Sequence, residues 1–223
     1  MDQTKDVNAN TGSVAAEIVR EYGPFPDTAR VGGVTFDGTH IWIAAGEALR
    51  AIDPSSGQAV RSIEVASDAG TAFDGHHLYQ LAEDRIQKVD PATGAVVATI
   101  PAPGKGTDSG LAWAEGSLWV GQYRDRKICQ IDPDTGAILR TIESNRFVTG
   151  VTWVDGELWH ATWEGDESEI RHIDPLSGQV LARLAMPHGI GVSGLESDGA
   201  DLFYAGGGSS GKVRAVRRPR ARK

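Results

Sequence analysis

His160, Trp163 and Glu164 bring an imidazole, an indole and a carboxylate close together in the chain. An imidazole exchanges protons near neutral pH, a carboxylate can hold it in place, and an indole face can wall a bound molecule. This combination points to acid–base chemistry on a small molecule, with His160 as general acid or base and Glu164 as its partner or a metal contact. A histidine buried in the core and donating to a backbone carbonyl is the competing reading. His160 also departs from the residues at matching points of the repeats described below, which are Ile43, Gln80, Val120 and Tyr204.

Other residues of binding type fall in stretches that differ from repeat to repeat. Arg30, Arg124 and Arg146 offer cations to an anionic or polar ligand, and Tyr123, Trp163 and His188 add aromatic and proton-bearing groups. Asp68, Glu83, Lys105 and Asp108 lie in the same kind of stretch. Trp163–Glu169 is rich in carboxylates, and a divalent cation takes oxygen ligands of this kind. The spacing fits no calcium loop, so no cofactor is predicted, and a solvated acidic loop is the plainer reading. P-loop, dinucleotide, HExxH and GxSxG signatures are absent from the sequence. The single cysteine, Cys129, lies in an apolar run with nothing nearby to activate it, which fits an inert buried thiol and a cytoplasmic setting.

The elements that hold these residues follow one plan. Gly150–Val154 is β-branched and aromatic, Asp155-Gly156 supplies a tight turn, and Glu157–Trp163 reads as a second strand. Ile170–Ile173 makes a third strand, Asp174-Pro175-Leu176-Ser177-Gly178 a second turn, and Val180–Leu184 a fourth strand. The same grammar recurs about every 40 residues, with Asp-Pro pairs at 53, 90, 132 and 174. Four-stranded units at that period predict an all-β, five-bladed propeller with blades near 33–65, 71–103, 110–144, 150–187 and 194–216. The repeated carboxylates Asp53, Asp90, Asp132 and Asp174 are turn formers, because a site of chemistry is not copied into every blade. The repeated aromatics belong between the blades. The fifth copy lacks a fourth strand, while Ala16–Arg20 resembles one, so the N-terminal strand is expected to close the last blade and hide its edge.

Length and charge set further limits. At 223 residues, the chain is expected to form a flexible segment 1–12, a single propeller domain 13–217 and a basic tail 218–223. Net charge is −8 despite the arginine-rich end, which argues against nucleic acid as a partner. No apolar stretch is long enough to span a membrane. A closed ring with no open seam points to a monomer.

The repeated Gly-Leu/Val-x-Trp/Phe, x-Asp-Gly, Leu-Trp and Ile-Asp-Pro-x-Thr-Gly pattern resembles the bacterial and plant-type glutaminyl cyclases. More widely, it is similar to the streptogramin-lyase and gluconolactonase-like propellers. The resemblance implies a five-bladed propeller, with acyl-transfer or lyase chemistry on the variable-loop face. The motif Phe-Thr-Gln-Gly-Leu that leads into the cyclases' first blade is Arg30-Val31-Gly32-Gly33-Val34 here, and their Leu-Tyr-Glu-Ser is Ile41-Trp42-Ile43-Ala44. The function expected is therefore small-molecule binding, as an enzyme of one of these two types, with a non-catalytic binding or scaffolding propeller as the alternative.

Overall fold

Each strand-forming run ends where the sequence can turn, so the chain folds as a succession of hairpins. The computed structural model describes residues 12–219. It begins with β1 (Ser13–Ala15) and β2 (Ile18–Tyr22). Blade one is β3 (Val34–Phe36), β4 (Ile41–Ala44), β5 (Gly46–Ile52) and β6 (Ala59–Ser67). Blade two is β7 (Thr71–Phe73), β8 (Leu78–Ala82), β9 (Arg85–Val89) and β10 (Val96–Pro101). Blade three is β11 (Asp108–Ala114), β12 (Ser117–Gln122), β13 (Lys127–Ile131) and β14 (Ile138–Glu143). Blade four is β15 (Val148–Val154), β16 (Glu157–Glu164), β17 (Glu167–Ile173) and β18 (Val180–Ala185). Blade five is β19 (Gly194–Ser197), β20 (Leu202–Gly206) and β21 (Val213–Arg217), completed by β2. The protein is an all-β, five-bladed propeller.

The ring closes as the repeats imply. β2 runs antiparallel to β21, with Ile18 opposite Val216 and Tyr22 opposite Val213. Glu21 pairs with Arg214 at 2.7 Å and Lys212 at 2.9 Å, and Glu17 pairs with Arg217 at 3.0 Å. β1 was not anticipated as a strand. It adds to blade four as a fifth strand, parallel to β18, with Val14 opposite Leu184. Arg218, expected from the sequence to begin the basic tail, is buried and donates to Asp155. The remainder of that tail from residue 220, and residues 1–11 of the proposed N-terminal segment, lie outside the described residues.

The turns work through their carboxylates. Asp53 Oδ1 accepts hydrogen bonds from the Ser55 amide and hydroxyl, both at 2.7 Å, and Oδ2 accepts one from the Ser56 hydroxyl at 2.9 Å. These donors hold the Asp53 carboxyl down at about 2, and Asp90, Asp132 and Asp174 are lowered by the same arrangement.

Blades interlock through aromatic pairs. The second-strand ring of one blade meets the first-strand ring of the next: Tyr79 with Trp113 at 5.5 Å, Trp119 with Trp153 at 5.3 Å, and Tyr204 with Phe36 at 5.5 Å. Blade five has Ser197 where the others carry a first-strand aromatic. Phe203, paired opposite Ser197, fills that gap and packs on Trp159 at 5.0 Å. Tyr204, not Phe203, therefore matches Trp42, Tyr79, Trp119 and Trp159, and Ala205 rather than Tyr204 matches His160. The sequence alignment was displaced by one because the hairpin before β20 is longer than its counterparts.

Five glycines encircle the axis. A Cβ on Gly33 would lie 2.8 Å from Gly70 Cα, one on Gly110 2.8 Å from Gly150 Cα, and one on Gly194 2.9 Å from Gly33 Cα. Gly70 and Gly150 would meet Leu111 N at 2.5 Å and Leu195 N at 2.6 Å. Neighbouring first strands thus touch backbone to backbone, which only glycine permits. The axis at this level is too narrow for a ligand.

Candidate functional site

Above the glycine ring lies a funnel of about 580 Å³. The residues just before the ring glycines, Gly32, Ala69, Ser109, Thr149 and Ser193, lie at its base. Its walls carry Arg30, Asp68, Glu83, Asp108, Tyr123, Arg124 and Trp163. These come from the connections between blades and from the loops after second strands, so the rigid ring positions side chains borne on variable segments. Because the ring closes the base, a ligand enters and leaves from this face alone.

The walls are fixed by packing. Trp163 lies against Gly191 and Gly208, where a Cβ would come within 2.3 Å and 2.9 Å of its indole, and its Nε1 donates to Gly165 O at 2.9 Å. Tyr123 stacks on Phe147 at 4.6 Å, and the Arg126 guanidinium covers the Phe147 ring at 4.5 Å. At the base, the Ser109 hydroxyl is within donating distance of Val148 O at 2.7 Å and Gly121 O at 3.0 Å. Ser193 Oγ donates to Val31 O at 2.6 Å. These serines bind the blades together.

Asp108 is the funnel residue with unusual proton affinity. Its carboxylate accepts the Gly104 amide at 2.9 and 3.0 Å and Gln122 Nε2 at 3.3 Å. Burial nonetheless pushes its pKa up to about 6, with the nearby Asp125 charge adding to the rise. A carboxyl poised near neutrality in a cavity can take up or deliver a proton during a reaction.

Arg30, Tyr123, Arg124 and Trp163, singled out from the sequence, all line this funnel. His160, Glu164, Arg146 and His188 do not. His160 is buried between Val151 and Arg171 in the sheet, with Nδ1 3.3 Å from Ala161 O. Burial, reinforced by the Arg171 charge, lowers its pKa to about 4. This placement corresponds to the core reading rather than to a group facing a ligand. Glu164 accepts the Phe147 amide at 3.0 Å and lies 3.6 Å from Arg146 and 3.8 Å from Arg126, so it pins the connection between blades three and four. Arg146 is shared between Glu164 and Glu167, and His188 is exposed on a turn outside the funnel.

The acidic stretch 163–169 is met by arginines: Glu164 and Glu167 by Arg146, and Glu169 by the buried Arg171 at 2.7 Å. Among the described residues no group of three or more histidine, cysteine or carboxylate side chains is arranged to hold a metal. Cys129 is buried, and burial raises its thiol pKa. Asp68 and Asp108 were visible only as loop residues. Their shared signal is position, each two residues ahead of a ring glycine.

Fold and cavity together define a five-bladed propeller with a blind funnel on its variable-loop face. A glutaminyl cyclase of Myxococcus xanthus is similar at TM-score 0.76 and 20% identity, over 92% of this chain and 98% of that one. Hydrazine synthase of Kuenenia stuttgartiensis is similar at TM-score 0.51 and 19% identity, over 80% of this chain and 56% of that one. A chain of a mitotic checkpoint complex matches at TM-score 0.57 and 11% identity, over 99% and 96%. At these identities the likeness is one of fold. The chain matches no family model and no curated protein.

Proposed function

We propose that this chain binds a small polar molecule in the funnel and that Asp108 exchanges a proton with it, in chemistry of acyl-transfer type. The observation that carries the reading is the near-neutral carboxyl on the wall of a blind cavity. The similar cyclase suggests the reaction class. In glutamine cyclisation an amine attacks a carboxamide carbonyl, one C–N bond forms, another breaks, and ammonia leaves with a proton it must be given. Asp108 is suited to take the proton of the attacking amine and pass it to the leaving nitrogen. Ile43 is buried and Ala44 has no polar group, so in this chain the proton carrier comes from blade three rather than blade one.

Purified protein incubated with free glutamine or with peptides bearing an N-terminal glutamine is expected to release ammonia. Asp108→Asn should reduce the rate by about 100-fold or more with no fall in melting temperature. If no peptide turns over and no compound of a broad metabolite library raises the melting temperature, the funnel is not a ligand site, and a scaffolding role stands instead.

A further inference from the structure

The funnel's charges are arranged in an unusual way. Arg30 leads into blade one, and Asp68 leads into blade two across a single inter-blade gap. The gap is tight, because a Cβ on Gly32 would lie 2.4 Å from Asp68 O. Arg30 and Asp68 both line the cavity, yet among the described residues neither side chain forms an ion pair or a hydrogen bond. Elsewhere several arginines pair with a neighbouring carboxylate, as in Arg85–Glu83, Arg171–Glu169, Arg214–Glu21 and Arg218–Asp155. Two opposite charges on neighbouring lips of one cavity, both exposed and without a protein partner among the described residues, match a molecule that bears both charges itself.

We propose that the ligand is a zwitterion of α-amino-acid type, its carboxylate held by Arg30 and its ammonium by Asp68. This rests on the funnel being the ligand site. The guanidinium presents paired N–H donors to a carboxylate, and Asp68 accepts from the ammonium. Only a ligand carrying both groups satisfies both residues at once. The rest of the molecule then extends between Tyr123 and Trp163 toward Asp108.

The test uses the twenty amino acids as probes in calorimetric titration of the intact chain, followed by the N-acetyl and carboxamide derivatives of the best binder. Each cap removes one charge and is expected to weaken binding about tenfold or more. Arg30→Gln should erase the difference between the amino acid and its carboxamide while leaving the penalty of acetylation. Asp68→Asn should do the reverse. Loss of one discrimination with retention of the other cannot come from misfolding, and unchanged melting temperatures of the free variants confirm it. Binding of a singly charged derivative as tight as that of the parent overturns the proposal, and so does failure of all twenty to bind. If a library compound of another charge class then occupies the funnel, the site stands and only the zwitterion falls.

Discussion

Gln80 and His160 stand at matching positions of β8 and β16, and each directs a ring or amide nitrogen at the carbonyl of the residue that follows it. Gln80 Nε2 donates to Leu81 O at 2.6 Å and Ala69 O at 3.1 Å, and His160 Nδ1 is 3.3 Å from Ala161 O. His160→Gln should therefore fold, with a melting temperature at pH 7 within a few degrees of the parent. The pH dependence distinguishes the two proteins. The folded state keeps His160 neutral down to about 4, whereas in the unfolded chain it is protonated near its usual 6.5. Its contribution is lost as pH falls through that window, by up to about 3 kcal/mol. Denaturant titrations between pH 7 and pH 4 should show the parent's stability dropping relative to that of His160→Gln as the pH falls. A difference that does not change with pH would mean that the histidine is solvated. Comparison of the repeats set His160 apart from its counterparts but did not show which side of the sheet it faces. Arg30, Tyr123, Arg124 and Trp163 were legible because loops that vary between repeats gather on one face. The proton affinity of Asp108 was not legible, since it arises from burial and from Asp125, which only the fold brings near.

At the scale of elements, turn chemistry made the blades readable, and the same chemistry says where substitution is costly. Gly38 has φ +90° and open space around its Cβ position. Alanine there costs only the backbone conformation, about 1 kcal/mol. At Gly150 a Cβ would press into Leu195 N and Gly194 C at 2.6 and 2.8 Å, backbone atoms that cannot yield without opening the ring. Gly150→Ala should destabilise by about 3 kcal/mol or more, a large drop in melting temperature beside that of Gly38→Ala. The two N-terminal strands should also behave differently. Removal of residues up to 15 strips β1, a short exposed addition to blade four, and should leave a folded protein. Removal up to 24 also takes β2, with buried Tyr22 and the Glu21 pairs, and uncovers the edge of β21. That protein is expected to aggregate or to melt far lower. A soluble product with the parent's melting temperature would contradict the role of β2 as the closing strand. β2 could be read from its likeness to other fourth strands. β1 could not, because three residues carry no periodicity and its parallel pairing depends on where closure leaves the chain.

For the molecule as a whole, closure also depends on one carboxyl at the axis. Glu196 follows the ring glycine Gly194 by two residues. It accepts hydrogen bonds from Thr35 of blade one at 2.9 Å, from Thr152 of blade four, and from its neighbour Ser197 N at 2.8 Å. The composite fifth blade is thus tied to both neighbours through one side chain. Protein encloses most of it, and burial raises its pKa to about 7 against three donors that favour the charged form. The folded state therefore holds this proton more tightly than the unfolded chain, whose value is near 4.5. Its stabilising contribution is complete below 4.5 and is lost as pH rises to 7, by up to about 3 kcal/mol. Asp108, raised to about 6, acts in the same direction, while His160 acts in the opposite one over nearly the same window. With two raised carboxyls against one lowered imidazole, the parent's stability should decline as pH rises from about 4.5 to 6. It should fall again in stronger acid as the lowered turn aspartates, Asp53 foremost, take up protons. Glu196→Gln imitates the protonated acid, and Thr35 can reverse its hydroxyl to accept from the new amide. Between pH 4.5 and 6 this variant should show a nearly flat profile where the parent declines, His160→Gln should decline more steeply than the parent, and the double variant should return to the parent's slope. If Glu196→Gln instead tracks the parent at every pH, Glu196 does not titrate in this range, and the three hydrogen bonds rather than burial set its charge.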